Sequence, residues 1–202
     1  VALPTPPAVG RRVDVESALE MRTALHKAAE RAHVVVMAAA VADFRPGVRV
    51  LGKLSRRSER TDPRAGKAIP LVANPDLLAE LGHRRRGRQP YLVGFAAEVG
   101  ASGQALIERA RGKLAEKRCD VVVANEVGRP GLGFGAEHNA VTLVFADGRV
   151  AELPPARKDQ LATSIWDTIC HELDAGDRPE SSVAGKTRTL RKKAGSTKGR
   201  HG

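Results

Sequence analysis

Apolar positions in this chain recur with two different periods. From Val15-Glu16-Ser17-Ala18-Leu19-Glu20-Met21 onward, Leu19, Leu25 and Ala28 fall on one helical face and Glu16, Glu20 and Arg22 on the other, predicting a helix from about Glu16 to Arg31. Val34-Val35-Val36-Met37-Ala38-Ala39-Ala40 then runs apolar without interruption. It is too short for a core helix and opens with three β-branched residues, which predicts a buried parallel strand. Tyr91 to Phe95 and Val121 to Ala124 share that style, and the segment between them, Gln104 to Lys117, is helical in composition. Strands alternating with helices imply right-handed βαβ units. The expected fold class is therefore α/β: a Rossmann-like, mainly parallel sheet with helices on both faces.

The pattern changes at Val141-Thr142-Leu143-Val144-Phe145, which is followed by Asp147-Gly148 and then by Val150-Ala151-Glu152-Leu153. An Asp-Gly pair between strand-like runs predicts a C-terminal β-hairpin, which Pro154-Pro155 should end. Lys158 to Leu173 reads as a closing helix with Leu161, Ile165, Trp166 and Ile169 inward. Beyond Gly176 the apolar period gives way to Ser, Gly, Thr and Lys, so residues 1–175 are expected to form the domain and 176–202 a disordered basic tail. A doubly wound sheet usually opens with a strand, a glycine turn and a phosphate-facing helix, whereas this sequence opens Val1-Ala2-Leu3-Pro4. Either the domain uses another opening or its first βαβ unit is missing.

With 202 residues, 42% hydrophobic and 28% charged, the chain can bury a core of ordinary size, which excludes a collagen-like or wholly disordered protein. No apolar run reaches the roughly 20 residues of a spanning helix, and no signal peptide is evident, so the expectation is a soluble cytoplasmic protein without a membrane partner. The two cysteines, Cys119 and Cys170, cannot build a disulfide framework or a four-ligand zinc site and read as buried thiols. The six histidines show no paired spacing, so no side-chain metal site is expected. The net charge of +11 points to an anionic partner, but the tail supplies +6 of it through eight Lys/Arg against Asp177 and Glu180. Aromatics, at 3%, are too few for a stacking surface of the single-strand-binding kind.

Ligands of an open parallel sheet collect outside the carboxyl ends of the strands. There the first strand leads into Ala38-Ala39-Ala40-Val41-Ala42-Asp43-Phe44-Arg45-Pro46. Small residues let a flat ligand approach the backbone, and Asp43 can accept hydrogen bonds from an exocyclic amine; the plainer reading is alanine packing and a turn-capping Asp. Lys53-Leu54-Ser55-Arg56-Arg57, with Arg60, Arg64 and Lys67, suits a triphosphate, or is simply a solvated loop. In Asn74-Pro75-Asp76-Leu77-Leu78, Asn74 can cap a helix, Pro75 suits the first helical position and Asp76 complements the dipole. Such a start also offers free N–H groups to a ligand. Lys113 and Lys117 share a helix face, as cations for a ligand or for water. Asn125 and Asn139 flank a glycine-rich loop, 128–135, whose Phe134 can pack back on the domain.

Taken in order, Val13 to Ala18, Ala39 to Pro46, Lys53 to Arg56, Asn74 to Leu78, Val93 to Glu98, Lys113 to Asn125, and Gly133-Phe134 with Asn139 resemble the synthetase domain of bacterial phosphopantothenoylcysteine synthetase, over about Leu3 to Leu173. That domain is usually fused behind a flavin-dependent decarboxylase. The resemblance implies a Rossmann-like homodimeric ligase of coenzyme A biosynthesis that uses CTP and Mg²⁺, FMN belonging only to the decarboxylase. The carboxylate of 4′-phosphopantothenate attacks the α-phosphate to give an acyl cytidylate and pyrophosphate, and cysteine then displaces CMP. The resemblance places Met37, Ala38 and Ala39 beside the nucleotide, with Asp43 at the base. It places Pro75, Asp76, Leu77 and Leu78 at the helix start of that pocket and Phe95 nearby. It puts Lys53, Lys113 and Lys117 on phosphate or ribose, and Ala40 near the acyl intermediate.

Two departures qualify it. The family's Lys-Ile-Lys-Lys is here Lys53-Leu54-Ser55-Arg56, which keeps the first cation and drops the second. The family's opening strand, its Gly-Gly-Thr turn and its Ser-Asn-Arg-Ser-Ser-Gly-Lys-Met-Gly segment are not in this sequence, so the chain as it stands is expected to be incomplete for catalysis. The competing expectation is a basic Rossmann-like binding module whose tail, around Arg191-Lys192-Lys193, takes nucleic acid through phosphate contacts.

Overall fold

The β-branched runs become the parallel centre of a sheet. In the computed structural model, which describes residue 5 and residues 8–48, 68–127 and 137–176, the chain order begins α1 (Ala18–Ala29), β1 (Val34–Met37), β2 (Phe44–Pro46), β3 (Leu71–Ala73), α2 (Leu77–Arg84) and β4 (Tyr91–Val99). It continues with α3 (Gly103–Lys117), β5 (Val121–Val127), β6 (His138–Phe145), β7 (Val150–Arg157) and α4 (Lys158–Gly176). Five strands form one sheet in the order β1-β4-β5-β6-β7, and β2 and β3 form a separate antiparallel ribbon. β1, β4 and β5 run parallel, Met37 lying opposite Gly94 and Gly94 opposite Val122, while β6 and β7 add antiparallel. This is the Rossmann-like α/β architecture expected. Two compact units divide the chain, Val1–Thr163 and Ser164–Gly202, with the break inside α4.

Burial follows the alternation of the strands. Leu92 and Ala96 of β4, with Val122 and Ala124 of β5, meet Leu106, Ala110 and Leu114 of α3 and Leu78 and Leu81 of α2 in one cluster. The opposite faces, through Tyr91, Val93, Val121 and Val123, are also buried. The Asp147-Gly148 turn forms as predicted: Gly148 takes φ +92°, and Asp147 Oδ1 accepts the Arg149 N–H at 3.0 Å. At the start of α1, Ser17 Oγ accepts the Glu20 N–H at 3.2 Å, and Glu20 reaches back to the Glu16 N–H at 2.9 Å, a variant of the reciprocal cap.

Several local expectations are corrected. α1 begins at Ala18 rather than Glu16; its buried residue is Ala29, while Leu19 and Ala28 are exposed. β1 stops at Met37, leaving Ala38, Ala39 and Ala40 as exposed connection, because its ladder with β4 ends at Gly94 and alanine has little to pack on a pleat. β4 and β5 instead run on to Val99 and Val127, each supplying the other's ladder. Pro154-Pro155 does not end β7, which continues to Arg157; β7 is the last strand of the sheet, and an edge tolerates proline. In the second unit Ile165 and Ile169 are buried but Trp166 is half exposed, and Cys170 is only partly buried. The basic loop of Lys53, the glycine-rich loop with Phe134 and the tail 177–202 lie outside the described residues.

Candidate functional site

A cleft of about 190 Å³ opens where β1 stops short beside β4. Its floor is Met37, Gly94 and Val122 at the matched register of β1, β4 and β5, together with Leu78. Gly94 lets α2 lie close to the sheet: a Cβ at that position would sit 2.8 Å from Leu78 Cδ2, so a side chain there would require the Leu78 side chain to shift. Ala39, Val41, Ala42 and Asp43 form one wall, Asn74 to Leu77 a second, and Phe95, Lys113 and Lys117 complete the rim.

Local hydrogen bonds explain why the walls hold. Asn74 is not the helix cap. Its Nδ2 donates to the Ala42 carbonyl at 2.8 Å, its N–H donates to the Asp43 carbonyl at 2.7 Å, and its Oδ1 accepts from Arg45 at 3.0 Å. It thereby fastens the connection after β1 to the entry of α2. Asp76 is the cap, Oδ1 accepting the Ala79 N–H at 3.0 Å, and Pro75 precedes it. The other Asp76 oxygen pairs with the Lys117 ammonium. Burial works to raise the Asp76 carboxyl, but Lys117 with the Ala79 and Leu78 N–H groups outweighs it, leaving the group below the ordinary aspartate value. Burial likewise works against the Lys117 ammonium, and Asp76 outweighs it in turn, so Lys117 is held above the ordinary lysine value.

Lys113 Nζ stands 2.7 Å from Oε1 of Glu98, whose Oε2 accepts from Arg109 at 3.1 Å. Lys113 first, against burial, and then Arg109 keep the Glu98 carboxyl below the ordinary glutamate value. Near the floor, Cys119 is buried and its thiol is pushed up to about 11, chiefly by burial, which keeps it an unreactive packing group at neutral pH.

Of the residues singled out from sequence, the structure brings Met37, Ala39, Asp43, Pro75, Asp76, Leu77, Leu78, Phe95, Lys113 and Lys117 to this one cleft. Ala38 and Ala40 are exposed in the adjoining connection and do not line it, and Lys53 lies outside the described residues. Sequence reasoning misses Asn74 as part of the wall and Glu98 as the partner of Lys113; the signal for Glu98 is a carboxylate at an inward position of a strand. Asp43 is exposed, and its carboxylate makes no hydrogen bond to another described residue. An exposed carboxylate, small residues, one aromatic ring, a helix start and two ammonium groups suit a flat, amine-bearing ligand with an anionic end. No helix among the described residues is long and apolar enough to cross a membrane.

Residues 1–173 match the family described as DFP, the DNA/pantothenate metabolism flavoprotein C-terminal domain. The chain is 36% identical over 178 residues to the coenzyme A biosynthesis bifunctional protein CoaBC of Escherichia coli K12, covering 88% of this chain and 41% of that protein. It is 39% identical over 173 residues to CoaBC of Vibrio cholerae, with 86% and 41% covered. It thus spans about two fifths of the length of the curated relatives it matches. The fold is similar to the crystal structure of the C-terminal domain of a CoaBC, with a TM-score of 0.63 and 32% identity, covering 86% of this chain and 71% of that one.

Proposed function

The chain belongs to the DNA/pantothenate metabolism flavoprotein C-terminal domain family, and from that premise we propose that its cleft binds CTP for the ligation of 4′-phosphopantothenate with cysteine in coenzyme A biosynthesis. The observation that carries this reading is Asp43: an exposed carboxylate on the cleft wall, without a hydrogen bond to another described residue, across from the α2 start and two lysines. An acceptor so placed suits the exocyclic amine of cytosine. Met37 and Ala39 flank the nucleotide, Pro75 to Leu78 and Phe95 enclose it, and Lys53, Lys113 and Lys117 serve its phosphates.

The reaction needs this division of labour. A carboxylate accepts an amine only after one of its oxygens has become part of a good leaving group. The pantothenate carboxylate therefore attacks the α-phosphate, pyrophosphate departs, and the cysteine amine then displaces CMP to form the amide. Lysines stabilise the phosphate charge in both transfers, and Ala40 flanks the acyl cytidylate. Among the described residues no group of three carboxylate, histidine or cysteine side chains is placed to hold a metal ion. Mg²⁺ is proposed to arrive with the triphosphate. A cytoplasmic homodimer is part of the same proposal, and the apolar side chains that the β2–β3 ribbon leaves exposed, Phe44, Leu71 and Val72, are the surface offered for it.

Calorimetric titration of CTP, UTP and ATP tests the reading. CTP is expected to bind most tightly, and Asp43→Asn to weaken it by about one to two decades, the worth of a hydrogen bond to a charged group at ~1.5–3 kcal/mol. Equal affinities of the two proteins for CTP would return Asp43 to the role of a turn residue.

A further inference from the structure

Among the described residues, Glu98 is the one buried carboxylate beside the cleft whose charge the proposed chemistry leaves unused. Leu92 and Ala96 of β4 face the α3 side chains in the core, and Glu98 continues that alternation at 8% exposure. Its Oε1 is sealed from solvent and has no aligned hydrogen-bond donor; it has instead the Lys113 ammonium at 2.7 Å, as an ion pair. Its Oε2 accepts from Arg109, which stands four residues before Lys113 on the same face of α3. The two cations differ in what else they can reach. Lys113 lines the cleft, whereas Arg109 does not and its side chain is 52% exposed. The register neighbour of Glu98 on β5 is a second carboxylate, Glu126.

A carboxylate this deeply buried is held in its charged form only while a cation compensates it. An anion entering the cleft competes with Glu98 for Lys113. With a single cation, that competition would strip a buried charge; with two, one cation can leave while the other stays. Resting on the phosphate-binding reading of the cleft, we propose that Glu98 and Arg109 act as a counter-ion exchange for Lys113. Glu98 positions the ammonium at the cleft rim, and Arg109 keeps the carboxylate compensated when Lys113 turns to a phosphate group. Glu98 and Arg109 are positioning residues, acting through Lys113 and not on the ligand itself. The exchange predicts an asymmetry that simple packing does not: removing a positive charge that never touches the ligand weakens anion binding, and removing the buried negative charge as well restores it.

The experiment is calorimetric titration of inorganic pyrophosphate and of CTP into the full chain and its variants at fixed salt. Arg109→Gln leaves the Lys113–Glu98 pair in place at a half-exposed position, so thermal unfolding should show it folded. Its affinity for pyrophosphate is expected to fall about tenfold, because Lys113 must then abandon a carboxylate that nothing else compensates. The double variant Glu98→Gln/Arg109→Gln is expected to recover affinity to within about threefold of the unaltered chain. An Arg109→Gln variant that binds pyrophosphate as the unaltered chain does, or a double variant no better than Arg109→Gln alone, overturns the exchange even if CTP binds well. Binding of pyrophosphate with the expected asymmetry but without any preference for CTP overturns the nucleotide reading and supports the exchange. Failure of the unaltered chain to bind pyrophosphate at all overturns both.

Discussion

Each end of α2 is tied by a carboxylate and a cation, the N-terminal end to the last residue of α3 and the C-terminal end to the short connection between α3 and β5. At the N-terminal end Asp76 meets Lys117, with side chains 41% and 22% exposed. At the C-terminal end Arg85 meets Asp120, with side chains 11% and 4% exposed. The chemistry is alike and the environment is not. Asp120 takes both Arg85 nitrogens and the Leu92 N–H at 2.7 Å, while Arg85 also donates to the carbonyls of Pro90 at 3.0 Å and Arg118 at 2.7 Å. Both Nη atoms of Arg85 and both carboxylate oxygens of Asp120 are occupied, which is the condition under which a buried pair is a structural lock. The Asp76 end has the Ala79 and Leu78 N–H groups and one lysine, and it opens on the cleft, so its charges remain available to exchange.

The sharpest way to break the comparison is to remove the buried carboxylate. Asp120→Ala leaves the Arg85 guanidinium desolvated without its partner and should cost ~3–5 kcal/mol of folding stability. Urea unfolding measures it. A loss below about 1 kcal/mol, the range of exposed pairs, would mean that the two ends of α2 do not differ in kind.

A change of intermediate size probes how the two ends are coupled. Gly82, between them, is buried where α2 crosses α3; a Cβ there would stand 1.9 Å from the Lys117 carbonyl oxygen. Since backbone cannot yield as a flexible side chain does, Gly82→Ala should force the helices apart at a cost of ~1–3 kcal/mol. It should also displace Lys117 from Asp76 and so weaken CTP binding beyond what the stability loss alone explains. Binding titrated well below the unfolding midpoint separates the two effects, and unchanged affinity would mean that Lys117 is placed independently of the helix contact.

These contacts also mark what the sequence could and could not reveal. The βαβ alternation and the Asp147-Gly148 hairpin depend on neighbours a few residues apart, and pattern alone exposes them. Asn74 and Asp76 were both competent caps. Which one caps is decided by Ala42, a carbonyl 32 residues away that draws the Asn74 amide off the helix. The spacing of Lys113 and Lys117 showed a shared face, but their carboxylates come from β4 and from the start of α2, so the pairing was invisible until the helices packed. The β2–β3 ribbon was missed because two three-residue strands, Phe44–Pro46 and Leu71–Ala73, carry almost no period. Gly82 reads as an ordinary glycine in a helix, since only the approach of the Lys117 carbonyl makes it necessary.

The smallest effect concerns the exposed tie itself. Asp76→Asn keeps a good cap, because asparagine and aspartate cap about equally, and it removes only the charge that meets Lys117. The pair is exposed enough that its worth should be about 1 kcal/mol or less. Its pH dependence is more telling than its size. Asp76 is held below the ordinary aspartate value of 3.8, so its contribution is present above that value and is lost as pH falls through the lower folded one. Lys117 is held above the ordinary lysine value of 10.5, so its contribution is present below that value and is lost as pH rises through the higher folded one. The stability difference between the unaltered chain and Asp76→Asn should therefore be flat from about pH 5 to about pH 9 and shrink on both sides. Thermal unfolding across that range measures it. A difference that changed near neutrality would point to a histidine rather than to this lysine as the partner Asp76 depends on, and the contrast between the two ends of α2 would have to be drawn again.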